Sequence, residues 1–492
     1  QDVINESELV PEVITEKEIK SRRDMRDVTT ITIDPVDAKD FDDAISVKVI
    51  NDNNFEIGVH IADVSHYVKP DTKLDEEAYE RATSVYLVDR CVPMLPERLS
   101  NGICSLKPNV DRLAFSVVFN IDSSGKMISE WHGKTVIHSD HRFSYEQAQS
   151  IIESVDKPIS EVGKILTEDA GLDMDYKRAT ELGSCVIQLN KLAKKIRKKR
   201  IKDGSIEMGG VEVKFELAPD NKKPIGVYFK EQKEANKLIE EFMLLANKSV
   251  AKLLSTAQRH NVYRVHDTPN LDKLNQLNGI CNTFGYDIQI EEEGDGLKSS
   301  INKLLVDIKD KPEENMISTL VTRCMSKAKY TTKNIGHYGL GFTYYSHFTS
   351  PIRRYPDLIT HRLLFDFLNK KNQGNPNIIE DQAKWCSERE LVASKAQRDS
   401  IKYKQAEYLM DRIGSIFKGI VSGVTDWGFY VELTENKCEG MIRYQSLDGR
   451  WTVDTDKYLI TNGIETIRLG DEISVIVKGV DLEKKQIDFI KM

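Results

Sequence analysis

Five aspartates fall within ten residues, at Asp34, Asp37, Asp40, Asp42 and Asp43. The segments on either side, Thr29 to Ile33 and Ala44 to Ile50, alternate apolar and polar residues. A period of two is the mark of a half-buried strand. The acidic run, with Pro35 near its start, is therefore predicted to be a loop held between two strands, so its carboxylates cannot spread apart. Anions this close raise one another's pKa unless cations intervene. An oxygen-rich cluster without thiols suits a hard divalent cation such as Mg²⁺ or Mn²⁺. A carboxylate cage with open coordination positions is also what two-metal phosphodiester hydrolysis needs. Spacing alone leaves other readings open, and a solvated turn is the plainest of them. A calcium loop fails: an EF-hand frame counted from Asp37 puts Asp42 where the glycine belongs and Lys48 where the bidentate glutamate belongs.

The rest of the chain bounds what such a loop could serve. With 492 residues there is room for two to four domains. No apolar run approaches membrane-spanning length. Gln1 to Glu6 has neither the basic start nor the apolar core of a signal peptide, and the missing initiator Met reads as a piece of a longer chain. The seven cysteines are dispersed with no CxxC pair. That argues against a disulfide framework and against zinc, and it fits a reducing, cytoplasmic setting. The net charge of −8 is not the basic footprint of a general nucleic-acid binder. A basic channel inside an acidic shell would give the same total.

A second informative stretch lies far downstream. Gly336 to Tyr345 is Gly-rich and loop-like. The run from Ser346 to Asp357, containing Arg353 and Arg354, leads into a helix predicted from Leu358 to Leu368. Long helices are also predicted over 176–202, 231–256 and 377–412, and strands over 55–62, 112–138, 204–215 and 262–266. The Pro-rich segment from Pro93 to Gly102 reads as an ordered loop. His60, Asp63 and His66 could be taken for ligands, but packed or hydrogen-bonded strand residues are the better reading. The basic run from Lys191 to Lys202 is read as a solvated helix face, with phosphate contact as the sharper alternative. From Gly414 onward, five short strands with Gly-rich corners suggest an OB-fold barrel.

The pattern Asp34-x5-Asp40-x-Asp42-Asp43 resembles the signature of the RNase II/RNase R exoribonucleases, the RNB family. Arg22 to Asp27, His60 to His66 and the Ser346 to Asp357 run extend the likeness, closest to the RNase R branch. The segment after Gly414 resembles the S-one RNA-binding domain. The resemblance implies an α+β fold. An RNB catalytic domain, a mixed β-sheet core surrounded by helices, would be followed by a C-terminal OB-fold β-barrel. The divisions read as 1–28, a lead-in; 29–370, the catalytic domain; 371–412, its helical extension; and 413–492, the barrel.

The implied activity is processive, hydrolytic 3′→5′ degradation of single-stranded RNA to nucleoside 5′-monophosphates, with structured RNA as an open question. By the same resemblance Asp34, Asp40, Asp42 and Asp43 hold Mg²⁺ or Mn²⁺, with no organic cofactor, and Asp42 is the acid most critical to turnover. Arg353 grips the terminal phosphate, which a guanidinium fork fits bidentately. Tyr86 stacks on the 3′-terminal bases, Tyr145 contacts the ribose side, and Glu240 lies close to the terminal nucleotide. Met208 stands where the family has a second clamping aromatic, and its thioether can still pack on a base. Gln397 falls near a position where RNase II has an acid. Phe417, Trp427, Tyr430 and Arg443 would line the RNA face of the barrel, with Trp427 and Tyr430 exposed. Asp37 lies outside the matched set and reads as a turn residue. The expected partner is the 3′ end of single-stranded RNA, bound by a monomer with no membrane contact. The rival reading is an RNB-fold RNA-binding protein with weak or no catalysis; the presence of all four acids counts against it. A DNA exonuclease is a third.

Overall fold

The strands flanking the acidic run belong to one seven-stranded sheet. A computed structural model describes residues 1–169, 174–207, 211–290, 296–311, 313–455 and 458–492. The sheet order is Arg23–Asp24, Met127–His138, Asp111–Asp122, Asn54–Ala62, Asp43–Asn51, Thr30–Asp34 and His141–Ser144. The two outer pairings are parallel and the others antiparallel, so the sheet is mixed.

Its centre is buried on both faces, which explains why Asn54–Ala62 is apolar almost throughout. Ile57, Val59 and Ile61 meet the helices Tyr176–Lys202 and Glu234–Thr256 in one core. Ala62, with Ala44 and Phe41, joins a second core with Lys73–Arg81, Tyr355–Leu368 and Pro376–Met410. His60 also faces that side, where Ser116 and Ser46 hydroxyls bond its two ring nitrogens at 2.7 and 2.8 Å. Burial pushes its pKa down to about 3, so it is a neutral core histidine.

A closed barrel follows, built from Ile416–Val424, Gly428–Leu433, Glu439–Arg443, Gln486–Lys491 and Glu472–Asp481. A three-stranded sheet over 452–468 is added to it and was not foreseen. Among the described residues no helix is long and apolar enough to cross a membrane.

The Pro-rich loop and His66 depart from expectation. Residues 1–28, read as a lead-in, carry local structure. They contain the helices Asp2–Leu9 and Glu16–Lys20, and they are docked where Leu74 N–H donates to Glu6 Oε2 at 2.8 Å and Arg98 binds Glu12 and the Val10 carbonyl. The Pro-rich loop ends in a helical turn, Arg98–Ile103, because Pro93 and Pro96 lie ahead of it and leave its N–H groups intact. His66 lies on the short helix Val64–Tyr67, not on a strand, and its Nδ1 sits 3.3 Å from Arg22. The basic helix run is largely solvated, with Lys191, Lys195, Lys198, Lys199 and Lys202 exposed, but it is not free of partners. Lys194 and Arg197 pair with Glu234, and Arg200 pairs with the buried Glu241.

Candidate active site

Asp34 ends one strand and Asp43 begins its antiparallel neighbour, so the pairing of Thr30 with Ser46 and Ile31 with Ile45 fixes both ends of the acidic loop. Its middle is pinned from outside. Ser105 Oγ accepts from Phe41 N–H at 3.0 Å and donates to the Lys39 carbonyl at 2.8 Å, and Leu106 N–H donates to the Phe41 carbonyl. Arg142 donates to the Pro35 carbonyl and lies over the Phe41 ring. The sequence flagged neither Ser105 nor Arg142; Arg142 is close to Tyr145, but nothing local to Ser105 marks it.

The downstream run meets this loop directly. Ile352 N–H donates to Asp42 Oδ1 at 2.9 Å, and Arg353 Nε lies 3.3 Å from Asp42 Oδ2. Arg353 is braced by its own bond to Ser350 Oγ at 2.9 Å. The turn below is held by Asp357, fully buried, whose Oδ1 accepts from Ser350 N–H and from Arg354 at 2.8 and 2.7 Å. Arg354 and Asp357 thus pair with each other beneath the turn. His361 stacks on Phe348 at 4.2 Å and bonds its carbonyl.

The same turn positions Tyr86. Ser84 N–H donates to the Arg353 carbonyl at 3.0 Å, which ties the Val85–Tyr86 strand to it. Tyr86, 40 % exposed, reaches Asp40 with its hydroxyl, Oη to Oδ2 3.3 Å. Tyr145 is placed from the other side. Its strand pairs Ser144 with Asp34, and Ser144 caps the helix that Tyr145 begins in a reciprocal box with Gln147. Glu240, on the outer face of Glu234–Thr256, lies within electrostatic reach of Tyr145. Asp37 is exposed on the loop. The structure therefore brings Asp34, Asp40, Asp42, Asp43, Arg353, Tyr86 and Tyr145 together. Met208 lies outside the described residues.

Burial holds the carboxyls of Asp34 and Asp43 well above the usual range, against Thr32 and Arg142 at Asp34, with repulsion between the aspartates adding to it. Burial also pushes Asp42 up to about 8 despite Arg353. Asp34 Oδ2 is buried with no hydrogen-bond partner among the described residues. An all-oxygen set that needs compensating charge fits a hard divalent cation. As they stand, however, no three His, Cys, Asp or Glu side chains among the described residues form a group that could hold one. Asp42 is engaged by Ile352 and Arg353, and Asp40 by Tyr86.

On the barrel, Trp427 is 77 % exposed at the turn before Gly428, which pairs directly with the exposed Arg443. Arg443 also lies 3.4 Å from Asp488. Tyr430 is half-buried, less open than expected, and Phe417 is half-buried against the barrel core.

The fold and site thus combine clustered acids facing a guanidinium, flanking tyrosines and an aromatic-bearing barrel. The chain belongs to the RNB family: the RNB domain model matches residues 22–370, and the S1 RNA binding domain model matches 411–491. It is 36 % identical to Ribonuclease R 1 of Lactococcus lactis over 99 % of this chain and 58 % of that protein. It is likewise 36 % identical to Ribonuclease R of Thermotoga maritima over 100 % of this chain and 68 % of that one. It therefore spans little more than half the length of the first. Among solved structures, Mycoplasma genitalium RNase R in complex with ribose methylated single-stranded RNA matches with a TM-score of 0.89 at 28 % identity, covering 100 % of this chain and 75 % of that one.

Proposed function

We propose that this chain carries out hydrolytic 3′→5′ degradation of single-stranded RNA, processively, releasing nucleoside 5′-monophosphates. One observation carries the reading. Asp42, in a buried acid cluster, meets the Ile352 N–H and Arg353 across 310 positions of sequence. That is the pairing of anionic and cationic groups a phosphodiester requires. The kinship with proteins named Ribonuclease R supports the same reading.

Asp34, Asp40, Asp42 and Asp43 would hold divalent cation, Mg²⁺ or Mn²⁺. When bound, it supplies charge to the phosphate and a water nucleophile at neutral pH. Arg353 then turns its guanidinium from Asp42 to the scissile phosphate, where it offsets the negative charge that builds in the transition state. Asp42, released from Arg353, orients the attacking water or the cation. Tyr86 stacks on a terminal base, Tyr145 lies at the ribose, and Glu240 borders the terminal nucleotide. Met208, which lies outside the described residues, is assigned to the RNA-binding set by the family resemblance alone. Trp427, Tyr430, Arg443 and Phe417 hold the strand further from its 3′ end. The seven unpaired cysteines suit a reducing compartment, the cytoplasm.

A second reading, an RNA binder without chemistry, is favoured by one fact: among the described residues no metal-ready group exists as the side chains stand. A gel separates the two. With labelled single-stranded RNA we expect no cleavage in EDTA and stepwise shortening to mononucleotide after Mg²⁺ is added. Asp42→Asn binds RNA and leaves it intact. Cleavage that survives strong chelator, or near-normal turnover by Asp42→Asn, overturns the mechanism. Matched DNA and a 3′-overhang duplex RNA, run alongside, set the substrate range.

A further inference from the structure

The hairpin formed by Val211–Leu217 and Pro224–Glu231 carries a face that the site described above does not use. Directly paired residues of an antiparallel ladder point to the same side. Glu212 with Lys230, Lys214 with Tyr228, and Glu216 with Gly226 therefore share one face; Val213 with Phe229 and Phe215 with Val227 share the other. Phe215, on the second face, is buried.

The first face is turned toward the acidic loop, since Lys230 Nζ stands 5.9 Å from the centre of the Tyr145 ring. Tyr228 follows two residues along the strand, about 7 Å farther out, and 53 % of it is exposed. Of the charges around it, Lys214 is occupied by Glu212 at 2.7 Å, and the Glu216 side chain lies over Gly226. The far end of the hairpin is anchored at the root of the barrel. Lys404 Nζ donates to the Lys222 carbonyl at 2.6 Å, and Lys223 pairs with Asp411 at 3.2 Å. Lys404 lies near the end of the Pro376–Met410 helix, and Asp411 is its C-cap, directly ahead of the first barrel strand. This face thus spans the interval between Tyr145 and the barrel.

We propose that Tyr228 is a base-stacking residue for single-stranded RNA crossing from the barrel to the acidic loop, with Lys230 meeting a phosphate of the same segment. The inference rests on the exoribonuclease reading and adds a contact to it. An exposed aromatic beside an ammonium, in line with Tyr145, is the arrangement that binds a strand without regard to its sequence. Phe229 supplies the internal comparison: it is also exposed and aromatic, one residue away, and on the opposite face.

The test measures the dissociation constant of the full chain for fluorescent oligouridylate in EDTA, and cleavage of the same oligomer in Mg²⁺. Tyr228→Ala is expected to weaken binding roughly ten-fold with an unchanged melting temperature. Tyr228→Phe restores wild-type affinity, and Phe229→Ala binds as wild type does. If the wild type cuts RNA and Tyr228→Ala binds it as tightly as wild type, the inference is overturned and the exoribonuclease reading stands. Equal loss in Tyr228→Ala and Phe229→Ala also overturns it, since only a general effect on the hairpin would act on both faces. A wild type that neither binds nor cuts RNA overturns both.

Discussion

Arg353 faces Asp42 with one guanidinium nitrogen and Ser350 with another, a geometry a lysine cannot copy. Arg353→Lys keeps the charge and loses the fork, so kcat is expected to fall roughly 100-fold while RNA affinity shifts far less. A kcat within a few-fold of wild type removes Arg353 from the chemistry. Asp63 makes a second prediction. It is fully buried, and burial alone would raise its pKa; Lys134 and Arg22, at 3.0 and 2.8 Å, outweigh that and hold it well below the usual carboxylate range. A depressed native pKa gives stability that is present above the unfolded value and lost as pH falls through the native one. Unfolding free energy should therefore decline with acid below about pH 4. Asp63→Asn should lose about 3–5 kcal/mol near neutrality and with it that part of the acid dependence. A variant as stable as wild type in denaturant titrations removes Asp63 from this role. At this scale the four acids were legible because they sit within one short run. Ser105, Arg142 and the Ile352 N–H were not, because a hydrogen bond to a distant loop leaves no trace in either local sequence.

Among elements, the helices Tyr176–Lys202 and Glu234–Thr256 are joined by ion pairs, of which the buried one is Arg200 Nε to Glu241 Oε1 at 3.1 Å, with Glu241 2 % exposed. Breaking one partner strands the other charge. Glu241→Gln is expected to cost about 3 kcal/mol in denaturant unfolding, whereas replacing both residues with apolar ones of similar volume costs less. An equal loss in the two variants contradicts this. The long helices could be read from periodicity because their apolar faces repeat over several turns. The Arg98–Ile103 turn, the Asp2–Leu9 helix and the added sheet over 452–468 could not. They are too short to show a period, and what holds them is contact with remote segments, such as Glu6 with the Leu74 amide.

For the whole molecule, a net charge of −8 must be reconciled with the proposed binding to a polyanion. Basic side chains held in internal pairs, such as Arg197 and Arg200, would contribute little to that binding, so exposed cations would carry it. Affinity for single-stranded RNA should fall steeply with salt, with a log–log slope of about −0.7 per phosphate contacted. Arg443→Ala should make that slope shallower by roughly one contact, while Trp427→Ala weakens binding and leaves the slope alone. A flat salt response contradicts an electrostatic track. The barrel was legible from strand spacing and Gly-rich corners and the mixed-sheet body from the family resemblance, but the way the two are fastened together was not.

One point of that fastening sits on a turn of the Pro376–Met410 helix. Asp399 bonds the barrel's Lys485 at 2.9 Å, and its neighbour Ser400 accepts from the amide of Val88, two residues past Tyr86. The barrel and the strand that carries Tyr86 are thus tied to adjacent residues of the same helix. For the proposed reaction, advance then belongs to the RNA: the body stays still, and after each cut the strand slides one step inward. The interval between barrel and acids works as a ruler, and an oligomer too short to span it slips its outer hold and departs as a remnant of fixed length.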